Sequence, residues 1–287
     1  AEKTNSKLAA DYEAIRRREY ELITNLLEVI PRIDGLSEER VTQMRDALFH
    51  ADHPYMMVFI GPFSSGKSSL INALLGEHDL LSIGPTPTTD RINILRWGEE
   101  ASRNRSGEVD TVFYPSPLLQ KVSFVDTPGL ESVFQKHEDI TRKFLHRSDT
   151  VLLVMLATQA MTARNVESLK LLKDYGKNVI IVLNQVDLLT PEEITAVQEY
   201  VLDQSRTHLG FKPEIWLTSA RKAMEARLPD GTLDAEMWKA SGLNQIEAYV
   251  DSQLSDLARL KQKLQTPLQI VQNVHQSALD AVRGNQS

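Results

Sequence analysis

The sequence predicts an α/β fold, a mainly parallel central sheet flanked by helices, with a helical bundle added by segments from both termini. Three observations carry it. Continuously apolar runs such as Tyr55–Ile60 and Thr150–Leu156 alternate with helical stretches, as strands buried on both faces of a parallel sheet should. The first of these runs passes directly into the glycine- and serine-rich stretch GPFSSGKSS. Both ends of the chain show helical periodicity instead.

Taken in order, Leu8, Tyr12, Ile15, Leu22, Leu26 and Ile30 recur at helical steps, and Pro31 ends that helix. Ser37-Glu38-Glu39 opens a second helix that carries Val41, Met44 and Leu48 and stops near Asp52-His53-Pro54. Strand patterns follow at Tyr55–Ile60, Arg91–Trp97, Thr111–Tyr114, Lys121–Asp126, Thr150–Leu156, Asn178–Asn184 and Glu214–Thr218. Beyond Gly242, Leu243, Ile246, Val250, Leu254, Leu257, Leu264, Leu268, Val271, Ala278 and Val282 fall near heptad steps. Pro267 is expected to kink or divide that helix. At 1.5 Å per residue this stretch would run ~60 Å, more than a domain face, so the terminal helices are read as packing together as a stalk. The expected domains are 1–52, 53–241 and 242–287.

Composition narrows the function classes. The chain has 287 residues and a formal net charge of −7, so no global basic field draws it to nucleic acid, and no nucleic-acid partner is expected. Zero cysteines exclude disulfides, thiolate metal sites and cysteine nucleophiles. The longest apolar run, Val151 to Ala157, falls far short of the ~20 residues that span a bilayer. No signal-peptide pattern opens the chain. A start without Met and a finish in AVRGNQS read as a piece of a longer or processed protein.

Gly61-x4-Gly66-Lys67-Ser68 has the phosphate-binding loop spacing between a strand and a helical run. Its backbone N–H groups, from Gly61 through Ser64, Ser65, Gly66 and Ser69, can turn toward phosphate oxygens. Lys67 would reach the β- and γ-phosphates, and the Ser68 hydroxyl would ligate Mg²⁺. Asp126-Thr127-Pro128-Gly129 ends a strand pattern, which puts Asp126 where it can hold the Mg²⁺ shell through water and the Gly129 N–H where it can face a γ-phosphate. Between them, PTPTTD offers Thr89, and after it Thr88, as the loop threonine that completes Mg²⁺ coordination. Asn184-Gln185-Val186-Asp187 and Thr218-Ser219-Ala220 follow the two last strand patterns. Asp187 can accept from guanine N1–H and the exocyclic amine, two donors that adenine lacks in that geometry. The nucleotide expected is therefore GTP, with Asn184, Gln185, Asp187, Ser219 and Ala220 around the base.

In order, these motifs resemble those of the translation-factor-related GTPases. The spellings GPFSSGKSS, PTPTTD, YPSPLLQKVSFVDTPGL and VLNQVD resemble the bacterial dynamin-like proteins, relatives of the mitofusins, closely over Pro54 to Gly242 and loosely in the flanking helices. The resemblance implies a P-loop GTPase domain with a helical neck, GTP hydrolysis to GDP with Mg²⁺, and nucleotide-dependent homodimerisation through the GTPase domain or pairing with a related paralogue. It also implies membrane fusion, tethering or remodelling, with lipid reached through regions outside this chain. The longer protein would be cytoplasmic and peripherally membrane-associated. Ser64 matches a serine that dynamins use to stabilise charge between the β- and γ-phosphates, which would make Ser64, Lys67, Thr89 and Gly129 the catalytic set.

Two positions depart from common GTPases. Gln185 stands where a lysine is usual, and Leu130 where Ras-type enzymes carry a water-positioning glutamine. Water would then be positioned by backbone, by Thr89 or by groups ordered when two domains meet. Arg103 and Arg105 are expected on a polar loop at a solvated hairpin tip, with a charge-supplying role in trans as the sharper alternative. Arg16-Arg17-Arg18 reads as a solvated helix face among Glu13, Glu19 and Glu21. Trp216 reads as core, and His50 with His53 does not make a metal site. The rival functional readings are an Era-like or tRNA-modification-like regulatory GTPase acting on RNA or ribosomes, and a nucleotide-binding scaffold without turnover.

Overall fold

Helical periodicity at the amino terminus becomes α1 (Glu2–Val29), a 3₁₀ turn at Ile30–Arg32, and α2 (Glu38–Asp52). Next come β1 (Tyr55–Ile60), α3 (Lys67–Leu75), β2 (Ile92–Trp97), β3 (Ser102–Ser106), β4 (Val109–Tyr114), α4 (Pro117–Lys121) and β5 (Val122–Asp126). The chain continues through β6 (Thr150–Leu156), α5 (Ala163–Tyr175), β7 (Asn178–Asn184), α6 (Pro191–Leu209) and β8 (Glu214–Thr218). It closes with α7 (Ala220–Glu225), α8 (Ala235–Ala240), α9 (Asn244–Ser255) and α10 (Leu257–Asn285). This computed structural model describes residues 2–53, 55–83, 91–129, 144–145, 147–175, 178–228, 230–255 and 257–285.

Two units divide the chain: residues 1–54 with 250–287, and Tyr55–Tyr249. In the second, the described strands form one sheet in the order β3-β4-β2-β5-β1-β6-β7-β8. Neighbours from β5 through β1, β6 and β7 to β8 are all parallel, whereas β2 meets β5 antiparallel and β3 meets β4 antiparallel. Every residue of β1 and β5 is buried, which is why β1 reads as an unbroken apolar run rather than an alternating one, while β5 also carries the buried Ser123 and Asp126. Register sets Phe59 beside Asp126 and Leu156 beside Asn184. The ends of β1, β5 and β7 therefore lie along one edge of the sheet, where loops of parallel sheets carry ligand sites.

The hairpin differs from the sequence reading. Arg103 and Arg105 lie on the strand β3, not at a loop tip, and the turn is at Gly107-Glu108. All of SRNRS is exposed, so no apolar alternation announces it. Both arginines pair with the buried Asp110, at 3.4 Å each, and Arg91 joins them at 2.6 Å. Burial pushes the Asp110 carboxyl up, but the donors from Arg91 and Arg103 with the charge of Arg105 hold it below its ordinary value.

In the first unit α1, α2 and α10 pack around Ile23, Ile30, Met44, Ala47, Val271 and Val274. Each buried isoleucine, methionine or valine among them contributes about 2 kcal/mol. Pro267 does not divide its helix; it lies inside α10. Burial of Leu260, Val271, Val274 and Ala278 along α10 offsets the hydrogen bond that the proline lacks. Ser37 occupies the N-cap of α2, yet its side chain makes no capping bond. Arg16 is also a correction: its side chain is only 12% exposed, paired with Glu13. It donates to the carbonyls of Ala51 (2.7 Å) and Asp52 at the end of α2, where a cation suits the helix dipole. Arg17, at 70% exposure, does face solvent. His53 is buried and stacks on Phe49 at 4.1 Å. Among the described residues no helix is long and apolar enough to cross a membrane.

Candidate nucleotide-binding site

β1 delivers the chain into Gly61, and α3 starts at Lys67 with Gly66 as its N-cap. Gly66 has φ +94°, and a Cβ there would come within 2.1 Å of the Asn184 amide nitrogen, so both conformation and space demand glycine. Ser64 adopts φ 59°, a conformation uncommon outside glycine and concentrated at turns and functional sites. Lys67 is buried, and its Nζ donates to the carbonyls of Gly61 (3.1 Å) and Pro62 (3.0 Å). The ammonium is thus held over the loop's own backbone. Burial pushes its pKa down to about 8, opposed by the Asp126 charge.

Asp126 ends β5 in full burial. Its Oδ2 accepts from the Ser68 hydroxyl at 2.7 Å, while Oδ1 has no hydrogen-bond partner. Burial raises its pKa to about 6, with Lys67 and Ser68 pulling the other way. A serine hydroxyl, a carboxylate and an orphaned buried oxygen fit a hard divalent cation that takes oxygen ligands. Mg²⁺ is such a cation, and it keeps waters and substrate phosphates in its shell. Beside them Thr127 donates to the Phe59 carbonyl at 2.8 Å. Gly129 lies so close to the loop that a Cβ would meet the Phe63 backbone at 2.9 Å.

Two adjoining cavities open here. One, of about 220 Å³, is lined by Ser64, Lys67, Ser68, Thr127 and Gly129. The other, of about 370 Å³, is lined by Asn184, Asp187, Leu188, Ala220, Arg221 and Met224. They share Gly66, Ser69, Ile83 and Gln185. The first is polar and suits phosphates; the second has apolar walls with a carboxylate, as a purine site requires.

Asn184 braces the two. Its amide donates to the Ser65 carbonyl (3.2 Å) and its Oδ1 accepts from Ala220 N–H (3.4 Å). Gln185 takes a left-handed φ of 62°. Ser219 caps α7, its hydroxyl accepting from Lys222 N–H at 3.2 Å. Ser65 is buried with its hydroxyl oxygen unpartnered. Thr88, Thr89 and Leu130 lie outside the described residues. Sequence reasoning did not single out Arg221, which donates to Asp187 Oδ2 through Nε (3.1 Å) and Nη2 (2.8 Å). Its place directly after Ser219-Ala220 was the available signal.

Residues 56–185 match the family model described as a 50S ribosome-binding GTPase. A probable transmembrane FZO-like GTPase of Arabidopsis thaliana chloroplasts is 30% identical over 98% of this chain and 34% of its own length. Dynamin-like protein 2 of Campylobacter jejuni is 31% identical over 55% of this chain and 30% of that protein. The chain therefore spans about a third of the length of these relatives. In fold it is similar to a solved structure described as an oligomerised bacterial dynamin pair in long-range sensing and tethering of membranes, with TM-score 0.63 and 19% identity over 93% of this chain and 47% of that one. The chain carries a GTPase domain, and in sequence and fold it is similar to the bacterial dynamin-like proteins.

Proposed function

We propose that the protein binds and hydrolyses GTP, and that pairing of its GTPase domains in the nucleotide-bound state is converted into work on a membrane, as fusion, tethering or remodelling. The observation that carries this is the adjoining pair of cavities, one beside Lys67 and the other beside Asp187, sharing Gly66, Ser69 and Gln185. Lys67 exchanges the carbonyls of Gly61 and Pro62 for β- and γ-phosphate oxygens, and N–H groups from Gly61 to Ser69 turn onto the same phosphates. Ser68 and Asp126 would hold Mg²⁺, Asp126 through water, and the ion would supply neutralisation of charge on the phosphate oxygens when bound. Ser64 lies beside the bridging oxygen, and the Gly129 N–H faces the γ-phosphate. Thr89, with Thr88 as the alternative, would complete the Mg²⁺ coordination. Asp187 reads guanine; Asn184, Gln185, Ser219 and Ala220 shape its surroundings.

Leucine at position 130 cannot orient water, so the attacking water is positioned by backbone, by Thr89 or by groups that become ordered when two domains pair. The pair is a homodimer or includes a related paralogue. The domains are assigned as 1–52 and 242–287 for the neck and 53–241 for the GTPase domain. The longer protein works from the cytoplasm and reaches lipid through segments outside this chain.

GTP turnover per molecule, measured against protein concentration with Lys67→Ala as the blank, tests the proposal. A specific rate that rises with concentration supports a site completed by pairing. A flat rate indicates a self-sufficient site, and no turnover at any concentration overturns hydrolysis by this chain. The ribosomal description of the matched family favours the regulatory-GTPase alternative, which gains if the longer protein sediments with ribosomes rather than liposomes.

A further inference from the structure

Register places four polar residues in one row across the edge half of the sheet. Arg105 of β3 faces Asp110 of β4, Asp110 faces Asn93 of β2, and Asn93 faces Asp126 of β5. Directly opposed residues share a face of the sheet, so the acid at the Ser68 end of the row and Asp110 lie on the same side. Asp110 is buried, and a buried carboxylate needs charged donors. Three arginines from two flanking strands and their approaches supply them.

Two of these arginines tie Asp110 to both flanks of the segment that carries Thr88 and Thr89 in sequence. On the carboxyl-terminal flank, Arg91 donates from Nε to Asp110 Oδ1 at 2.6 Å and from Nη2 to the Gly107 carbonyl. The Asn93 amide donates in turn to the Arg91 carbonyl at 3.4 Å. On the amino-terminal flank, Arg103 donates from Nη1 to Asp110 Oδ2 (3.4 Å) and Asn93 Oδ1 (3.3 Å), and from Nη2 to the Leu80 carbonyl at 2.9 Å. A planar guanidinium can bridge such a set at once, as a single ammonium cannot. Leu81, the next residue, is buried and meets Asn72 of α3 through its N–H (2.9 Å) and its carbonyl (2.8 Å). Thr89 stands two residues before Arg91, so their Cα atoms are at most about 7 Å apart. Fixing Arg91 therefore fixes the point from which the chain reaches back toward a cation held at Ser68 and Asp126.

We propose that Asp110 is a positioning residue for the triphosphate state: it holds Arg91 directly and Leu80 through Arg103, and so sets the two points between which the loop threonine must reach the cation and the γ-phosphate. This rests on the reading of Thr89, or Thr88, as that threonine, and adds a residue to it. Asp110, Arg91 and Arg103 line neither of the two cavities, so their effect on nucleotide passes through the chain they hold. A diphosphate has no γ-phosphate for the threonine to meet. Loss of the clamp therefore weakens binding of the triphosphate and leaves that of the diphosphate.

The test is calorimetric titration of the whole chain, in Mg²⁺, with GDP and with a non-hydrolysable GTP analogue. In Asp110→Asn the analogue should bind on the order of tenfold more weakly, as for loss of a charge-assisted contact, while GDP affinity changes by less than about threefold. Arg91→Gln, at a half-buried side chain, should show the same selective loss and serves if Asp110→Asn does not fold. Thr89→Ala or Thr88→Ala should show it too, and combining that variant with Asp110→Asn should add little, since both remove one contact. Equal weakening of the two nucleotides in Asp110→Asn and Arg91→Gln would show a general packing role and overturn the proposal. So would unchanged analogue affinity, or losses that add in full in the double variant. If neither threonine variant weakens the analogue, the threonine reading fails first and Asp110 falls with it, an outcome separable from the others because it needs no change at Asp110.

Discussion

The side-chain amide of Asn184 donates to the main-chain carbonyl of Ser65 at 3.2 Å, joining the end of β7 to the phosphate-binding loop. Its Oδ1 accepts from Ala220 N–H on the far side. One buried residue thus fastens the two cavities together, and Gly66 leaves the space that its amide fills. Removing it in Asn184→Ala would leave a buried carbonyl and a buried N–H unsatisfied, at about 1–3 kcal/mol each. The nucleotide-free protein should melt earlier, and GDP binding should weaken by about tenfold or more. Calorimetric titration and a thermal melt check both. A normal melt with normal GDP affinity would mean that Asn184 braces nothing.

A second brace acts at the other end of α3. Arg227 donates to the carbonyls of Ala73 (3.3 Å) and Leu74 (3.1 Å), and its guanidinium lies 5.3 Å from the centre of the Trp238 ring. Trp238 in turn donates to Glu247 of α9 at 3.0 Å. Arg227→Met keeps the aliphatic stem but loses the cap and the cation–π contact. It should lower stability by about 1–2 kcal/mol, read as a fall in the urea midpoint, whereas Arg227→Lys should lose less. Equal losses in the two variants would argue against a role for charge at the helix end.

Glu19 gives a pH prediction for the helical unit. It is buried on α1, neither carboxylate oxygen has a hydrogen-bond partner, and burial lifts its pKa from 4.5 to about 7 against the lowering pull of Arg16. A carboxyl that binds its proton more tightly in the folded state stabilises that state fully below its unfolded value, and loses the contribution as pH rises through the folded one. Stability should therefore fall between about pH 4.5 and pH 7 by on the order of 2 kcal/mol. Glu19→Gln should flatten that fall, leaving the protein more stable than native at pH 8 and nearly unchanged at pH 5. Thermal melts across pH decide it; parallel profiles for the two proteins would remove Glu19 as the cause.

The sequence by itself determined most of the sheet, because strands buried on both faces are largely apolar, and β1, β6 and β7 carry unbroken apolar runs at Tyr55–Ile60, Val151–Leu156 and Val179–Leu183. It also determined where the phosphate loop begins, since Gly61, Gly66, Lys67 and Ser68 fall within eight residues at the loop's fixed spacing, directly behind an apolar strand. Only the tertiary structure decided which polar groups meet across long separations. Arg16 closes on the end of α2 from 35 and 36 residues away, and Arg221 closes on Asp187 from 34. Neither contact has a period or a spacing that a linear pattern could register. The edge strand β3 stayed hidden for the opposite reason: fully exposed, it needs no apolar side chains, and its backbone pairing with β4 alone makes it a strand. Pro267 remained helical because burial along α10 outweighs one missing hydrogen bond. Local chemistry fixed the elements and the phosphate loop; how the acids and bases pair is a property of the folded chain, since each pairing depends on burial that no residue carries alone.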